Sequence, residues 1–166
     1  MEPQERPLHL YGAASTRPAL PWSWVEEQLT AAGTYWAVAA GPGRPHPRPV
    51  WGVWHERRLH LSIGSPALRR ALDEPRAVTV HLDSGTDVVL VEGTTRPVGP
   101  GGTAQPLIDA YNAKYDWDYR VAEYGDLLAV DPGKVLAWRS AGWAGRDGFS
   151  ATGCWLFRRR DAGATT

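Results

Sequence analysis

The chain is poor in the residues that build covalent or metal-stapled folds: it has one cysteine, Cys154, in 166 residues. A single thiol forms no internal disulfide and offers at most one ligand to a metal, which argues for a reducing compartment and against a cysteine-built metal centre. Cys154 is expected to serve as a small buried hydrophobe. Long apolar runs are missing: none approaches the roughly 20 residues of a spanning helix, and the start MEPQERPLHL lacks the basic, apolar, small-residue order of a signal peptide. A cytoplasmic location is the expectation. An excess of one charge is missing as well. Lys plus Arg and Asp plus Glu number 18 each, so bulk electrostatics gives no case for a nucleic-acid or anionic-membrane partner. HExxH, GxSxG, a P-loop and a helix-opening GxGxxG are all absent, which argues against the common hydrolase, nucleotide-triphosphatase and zinc readings. No metal site is expected from the scattered histidines.

What is there is tryptophan: nine, against two phenylalanines. Aromatic rings with a polar edge are favoured where a surface is buried against a partner or ligand, but a Trp-rich core would draw on them equally. The length suits one domain. Residues 1–20 carry Pro3, Pro7, Gly12 and Pro18 without apolar periodicity and read as a partly ordered N-terminal arm. Residues 21–160 read as the domain and 161–166 as a tail. Trp22 to Ala32 has Trp24, Val25, Leu29 and Ala32 near the helical period, with Ser23 as a cap and Gly33 as a stop.

From Thr34 the texture turns to short β-rich runs with Gly, Pro and charged turns between them. Strands are expected at Tyr35 to Ala40, His46 to Trp54, Arg58 to Ile63, Arg76 to Asp83, Val88 to Pro97, Leu127 to Trp138 and Thr152 to Arg158. Gly41 to Pro45 and His55 to Arg57 are turns. Short helices are expected at Ser65 to Leu72, with Ser65 capping and Pro66 first inside, and at Pro106 to Tyr115. The run VVLVE is apolar on both faces, so one face should meet the core and the other a helix or a second subunit. The order implies a mainly β chain with short helices at the ends of an antiparallel barrel.

Five blocks in this order and at these spacings, TYWAVAAGPGRPHPRPVWGVWHERRLHLSIG, EPRAVTVHLDSGTDVVLVEG, YNAKYDWDY, VLAWRSAG and ATGCWLF, resemble the pyridoxamine 5′-phosphate oxidase-like proteins. The likeness is to their actinobacterial, deazaflavin-type branch, and it covers about residues 22–158. It implies an FMN-binding split barrel of about six to seven strands, paired into a homodimer with cofactor sites at the interface. Carried over by position, Arg48, Pro49, Val50 and Trp51 would flank the ring system, and Ser62, Ser65, Arg69 and Arg70 would approach the phosphate. Lys114, Trp117 and Trp155 would match interface basic and aromatic positions. The implied cofactor is FMN or an 8-hydroxy-5-deazaflavin coenzyme, and the reaction hydride transfer to a small unsaturated or aromatic substrate, with Trp51, Trp117, Trp143 and Trp155 lining the pocket.

The chain departs from the family in lacking a basic residue directly after Ser65 and an Asn further on. One lost charge-assisted contact costs about 1.5–3 kcal/mol, more than tenfold in affinity, which keeps weak, altered or no cofactor binding among the alternatives. A helix start with Ser65, Pro66 and following arginines suits a phosphate, while the plainer alternative is a cap with two solvated arginines. A second functional reading is a binding protein that holds FMN, deazaflavin, haem or another flat ligand without turnover. No catalytic acid, base or nucleophile is assigned, because in a flavin enzyme the cofactor carries the hydride chemistry. Arg44, His46 and Arg48 form an alternating polar row. His81, Asp83 and Asp87 read as solvating a turn, and Glu123 to Asp126 is a polar loop without a sequence-level role.

Overall fold

Alternation of inward and outward residues decides the architecture, because every long strand has one apolar face to hide. The computed structural model describes residues 2–10, 13–14, 18–39, 45–72, 74–96, 101–140 and 149–157. Its strands are β1 (Pro3–Arg6), β2 (His9–Leu10), β3 (Ala13–Ala14), β4 (Tyr35–Ala39), β5 (His46–His55), β6 (Arg58–Ser62), β7 (Ala77–His81), β8 (Asp87–Arg96), β9 (Leu128–Ser140) and β10 (Phe149–Phe157). Helices are α1 (Trp22–Ala31), α2 (Pro66–Ala71), α3 (Gln105–Tyr115) and α4 (Val121–Tyr124).

The main sheet runs β1-β10-β9-β6-β5-β4-β7-β8, and β8 pairs back onto β9. That last pairing closes β9, β6, β5, β4, β7 and β8 into an antiparallel barrel. Strand β9 outlasts β6: residues 128–130 pair with Leu61 to Leu59, whereas residues 134–140 pair with β10. Beyond the barrel, β10 and then β1 extend the sheet. Tyr35, Ala37, Leu59, Leu61, Val78, Val80, Val89, Val91, Val135 and Ala137 turn inward into one core cluster. Val25 and Leu29 of α1 join it. A second cluster, Val53 with Leu107, Tyr111, Tyr119 and Leu127, fixes α3 to the outside of β5.

The expected elements are present with small shifts at their ends. Ser23 does not cap α1: Pro21 holds the N-cap position and no side chain bonds there. The turn after β5 is the tight pair Glu56 and Arg57, both with positive φ, as a two-residue hairpin loop of the right twist requires. Strand β1 has no counterpart in the apolar pattern, because it lies on the edge of β10 with three of its four residues exposed. The turn over residues 41–44, the strand ends expected at Ala40, Pro97 and Arg158, Trp143 and the tail at 161–166 lie outside the described residues.

Where β6 and β8 flank the start of β9, Asp131 bridges them. Its carboxylate, with 9% of the side chain exposed, pairs with Arg58 of β6 at 2.8 Å and accepts from Nε of Arg96 of β8 at 2.9 Å. Opposite it, Gly93 leaves no room for a side chain, since a Cβ there would stand 2.6 Å from the Asp131 carbonyl. Asp131→Ala should lower the unfolding free energy by about 1–3 kcal/mol, the half-exposed arginines limiting the loss. Urea unfolding of the two proteins measures it, and equal midpoints would deny the bridge a structural role.

Candidate functional site

Strand β5 carries two prolines, Pro47 and Pro49, and residues two apart present their backbone groups to the same edge. Pairing with β4 runs over His46 to Val50, but pairing with β6 starts only at Trp51. The sheet is therefore open beside the first half of β5. In that opening lies a cavity of about 360 Å³ lined by Thr34, Arg48, Pro49, Val50, Trp51, Ser62, Gly64, Ser65 and Tyr111. Its volume is within the range of small-molecule sites, about 300–1,000 Å³.

On the far side of β5 the backbone also needs partners, because β4 ends at Tyr35 and leaves Gly52 unpaired there. Helix α3 supplies them. The Gly52 N–H donates to the Tyr115 hydroxyl at 2.9 Å, and that hydroxyl lies 2.9 Å from the Gly52 carbonyl and 3.1 Å from that of Gly33. Lys114 Nζ donates to the Gly52 carbonyl at 3.0 Å and to the Tyr35 hydroxyl at 2.8 Å, and it sits 4.7 Å from the Tyr35 ring centroid. Gly52 must lack a side chain: a Cβ would meet the His60 carbonyl at 2.5 Å. Burial lowers the Lys114 ammonium to about 8 and pushes the Tyr111 phenol up to about 12. The Tyr35 phenol moves upward too, first through burial and then through the neighbouring Tyr115. Tyr111 and Tyr35 are thus neutral donors over the physiological range, and Lys114 loses its charge just above it.

The cavity brings together Arg48, Pro49, Val50, Trp51, Ser62 and Ser65 from the residues singled out by sequence. Arg48 is exposed and its guanidinium donates to the Pro47 carbonyl at 2.8 Å, with no carboxylate partner among the described residues. Ser65 Oγ accepts from the Leu68 N–H at 3.4 Å as the cap of α2, a helix of six residues. Ser62 is half-buried at the cavity, near the phenols of Tyr111 and Tyr119.

The other candidates lie elsewhere. Arg69 turns to the loop after α4: it donates to the Asp126 carbonyl at 3.0 Å, and Gly125, with φ of 80°, leaves it room. Arg70 is exposed on α2. Lys114 is taken up by Tyr35 and Gly52. Trp155 corrects the expectation of a pocket-lining ring: β10 alternation turns it into the barrel at 2% exposure, edge-on to Trp22 at 5.3 Å. Trp117 is 47% exposed and meets Trp51 edge-on at 6.1 Å. Tryptophan thus serves both uses, with Trp22, Trp54 and Trp155 in or against the core and Trp51 and Trp117 at the surface.

Of the remaining sequence candidates, the His46 side chain is not described. His81 Nδ1 lies 2.9 Å from the Leu82 carbonyl, Asp83 accepts from Trp36 Nε1, and Asp87 pairs with Arg139 at 2.9 Å. Glu123 to Asp126 gains a role through Asp126, which accepts from the N–H groups of Gly101 and Thr103 and from the Thr103 hydroxyl at 2.8–2.9 Å. Burial alone would raise that carboxyl, but these bonds and nearby Arg69 hold it below the usual range. Sequence reading missed Thr34, Gly64 and Tyr111 at the cavity. Tyr111 was legible only as part of the apolar face of α3.

A closed antiparallel barrel whose longest strand is shared with a two-strand extension is a split β-barrel. In fold the chain is similar to the FAD-binding protein of Mesorhizobium loti, with 14% identity over 84% of this chain and 96% of that one and a TM-score of 0.52. It is similar also to the FAD- and haem-binding protein of Mycobacterium smegmatis, with 18% identity over 84% of this chain and 72% of that one and a TM-score of 0.51. A protein of the pyridoxinephosphate oxidase family from Clostridium acetobutylicum, related to general stress protein 26, is further away at 11% identity over 71% and 86% of the two chains, with a TM-score of 0.47. No family model matches the chain, and no curated protein matches it in sequence. No helix among the described residues is long and apolar enough to cross a membrane.

The Lys114 site has a pH signature. Its folded pKa, about 8, is below the ordinary 10.5, so folding disfavours the charged form and that penalty is fully present below pH 8. As pH rises from 8 toward 10.5 the native state sheds a proton the unfolded chain keeps, and the penalty is relieved. Wild type should therefore gain stability relative to Lys114→Met across that window in paired urea titrations. A constant gap would show that Lys114 does not titrate early.

Proposed function

We propose that the chain binds a flavin-type cofactor, FMN or a deazaflavin, in the β5–β6 cavity and uses it to pass hydride to a small substrate, as a member of the pyridoxamine 5′-phosphate oxidase-like family. One observation carries this reading: Arg48, Pro49, Val50, Trp51, Ser62 and Ser65, chosen by motif position, converge on a single cavity. Their chemistry fits the group. Pro49, Val50 and Trp51 offer an apolar wall to a flat ring system, while Ser62 and Ser65 offer hydroxyls to a phosphate. Arg48 adds a guanidinium free of any carboxylate among the described residues. Flavin-binding proteins among the fold neighbours agree with it.

When bound, the cofactor supplies the hydride chemistry. The chain's own part is to bind, orient and shield. Tyr111 and Ser62 offer neutral hydroxyls to the cavity, and Lys114 and Tyr115 hold β5 in place behind it. Arg69 is engaged with the Asp126 carbonyl and does not line the cavity, which weakens the phosphate grip and favours as a second reading a protein that carries a flavin, haem or other flat ligand without turnover.

The outward residues Val88, Leu90, Leu136 and Trp138 of paired strands β8 and β9 form a half-buried apolar strip suited to a second copy of the chain. Homodimerisation is part of this reading, as is a cytoplasmic location.

Titrating purified protein with FMN, deazaflavin and haem tests the site. FMN or deazaflavin should bind, and Arg48→Ala should weaken that binding at least about tenfold, the worth of one charge-assisted contact. The double variant Arg69→Ala, Arg70→Ala should lose less, since Arg69 is engaged with the Asp126 loop. Failure to bind either flavin would sink the redox reading, and haem binding alone would leave the second. Bound flavin that a reductant reduces, and that then reoxidises only with an added acceptor substrate, supports the enzyme.

A further inference from the structure

Six aromatic side chains close a ring of contacts beside the cavity. Trp51 stacks on Tyr115, and the run continues through Tyr111, Tyr119, Tyr124 and Trp117 back to Trp51, with centroids of successive rings between 4.8 and 6.3 Å apart. These are separations at which rings attract, about 4.5–7 Å. The two sides of the ring differ. Trp51 and Tyr111 line the cavity, whereas Trp117 and Tyr124 are exposed at 47% and 37%. Indole and phenol give up a single electron more easily than any aliphatic side chain without sulfur, so rings in contact connect cavity and solvent electronically.

The phenol proton decides which rings can carry charge. A phenol that loses an electron must shed its proton to a base within hydrogen-bond reach, whereas an indole can hold the charge with its proton in place. The Tyr115 hydroxyl is enclosed by the Gly52 N–H and by the Gly52 and Gly33 carbonyls, and the Tyr119 hydroxyl donates to the Gly125 carbonyl at 2.7 Å. None of these groups takes up a proton. Tyr111 is shut off by burial, which pushes its phenol up to about 12. Tyr124 differs, because the Glu123 carboxylate adjoins its hydroxyl. Among these rings, charge therefore has one route out of the cavity: Trp51 to Trp117, edge-on at 6.1 Å, and on to Tyr124 at 6.3 Å. Fixed charges slope the same way. Arg48 shares the cavity with Trp51 and opposes a positive charge there. Asp116 and Asp118 flank Trp117 in sequence and favour one, and Arg120, paired with Asp118 and Glu123, offsets part of that.

We propose that Trp51, Trp117 and Tyr124 are an electron relay that carries an oxidising equivalent from the β5–β6 cavity to the protein surface. The relay rests on the flavin reading, since its oxidant is the flavin in that cavity after it absorbs light. Trp51 gives one electron to the excited flavin, Trp117 gives one to Trp51, and Tyr124 gives one to Trp117 while its phenol proton passes to Glu123. The flavin is then reduced by one electron and Tyr124 oxidised by one. A soluble one-electron donor such as ascorbate reaches Tyr124 at the surface and restores it, so the damage-prone oxidised ring never rests at the binding site.

Flash excitation of the full chain loaded with FMN, followed by transient absorption and by the lifetime of flavin emission, tests the relay. Wild type should show quenched emission and a long-lived tyrosyl radical that ascorbate removes. Trp117→Phe changes an exposed ring outside the cavity lining. It should bind FMN as wild type does and keep the emission quenched through Trp51, but lose the tyrosyl radical, because the electron returns from the flavin to Trp51. Tyr124→Phe should also lose the tyrosyl signal with emission still quenched. A tyrosyl radical of undiminished yield in Trp117→Phe overturns the relay, and so does wild type with bound FMN and no long-lived radical. Protein that takes up neither FMN nor the deazaflavin removes the flavin reading and the relay with it, whereas bound flavin without the radical removes the relay alone.

Discussion

The fold depends on the pairing of β8 with β9. It joins the last barrel strand to one that already pairs with β6, so each of the six strands has two neighbours and the inward faces become one enclosed core. Without it, Val89, Val91, Val135 and Ala137 would sit at open edges of a long twisted sheet. Strand β9 can do this because it is long: its first residues serve β6, its later ones β10, and β8 runs beside nearly all of it. The register shift at Glu92 and Gly93 lies near the change of partners, where Pro132 follows Asp131 and the backbones approach too closely for a side chain on Gly93.

The same economy of backbone partners produces the candidate site. Strand β5 is longer than either of its neighbours, so it is unpaired toward β6 at one end and toward β4 just beyond Val50. The first gap is left open and becomes the cavity. The second is filled by α3, whose Lys114 and Tyr115 take over the hydrogen bonds that β4 no longer makes to Gly52. Buried amide groups seldom go unpaired, so α3 is tied to β5 by backbone need as well as by the apolar contacts of Val53, Leu107 and Tyr111. Tyr111, one turn earlier on that helix, thereby reaches the cavity wall.

Strand and helix content was legible wherever a pattern of period 2 or 3.6 met a turn residue, which covers β4 through β10 and α1 to α3. What the pattern could not supply was any feature that depends on where a strand stops relative to its neighbour. Lys114 read as a basic residue near a ligand, and only the end of β4 at Tyr35 shows why its ammonium is committed to Gly52 and Tyr35. Arg69 read as a phosphate contact, and Gly125 and Asp126, distant in sequence, draw it away. Trp155 matched a motif position, but the parity of β10 points it inward. Arg48 to Trp51, Ser62 and Ser65 were legible as a group because they flank one hairpin, and hairpin geometry keeps such residues together.

Parity also accounts for the division of labour among the tryptophans. On β5, Val50 is buried in the core while Trp51 and Val53, of opposite parity, face outward toward α3, and Trp54 returns to the core cluster. Val53 is covered by Leu107 and Tyr111, but Trp51 lies at the end of the helix and is covered by Tyr115 on one face only. A strand-borne indole half covered by a helix-borne phenol is rigid without being hidden, and it lines the cavity while meeting Trp117 edge-on. The placement of a flat group against Trp51 is thus one chemical resource the chain itself brings to the site, beside the Arg48 guanidinium and the Ser62 and Ser65 hydroxyls. That resource comes from the offset between the end of α3 and the outward parity of β5.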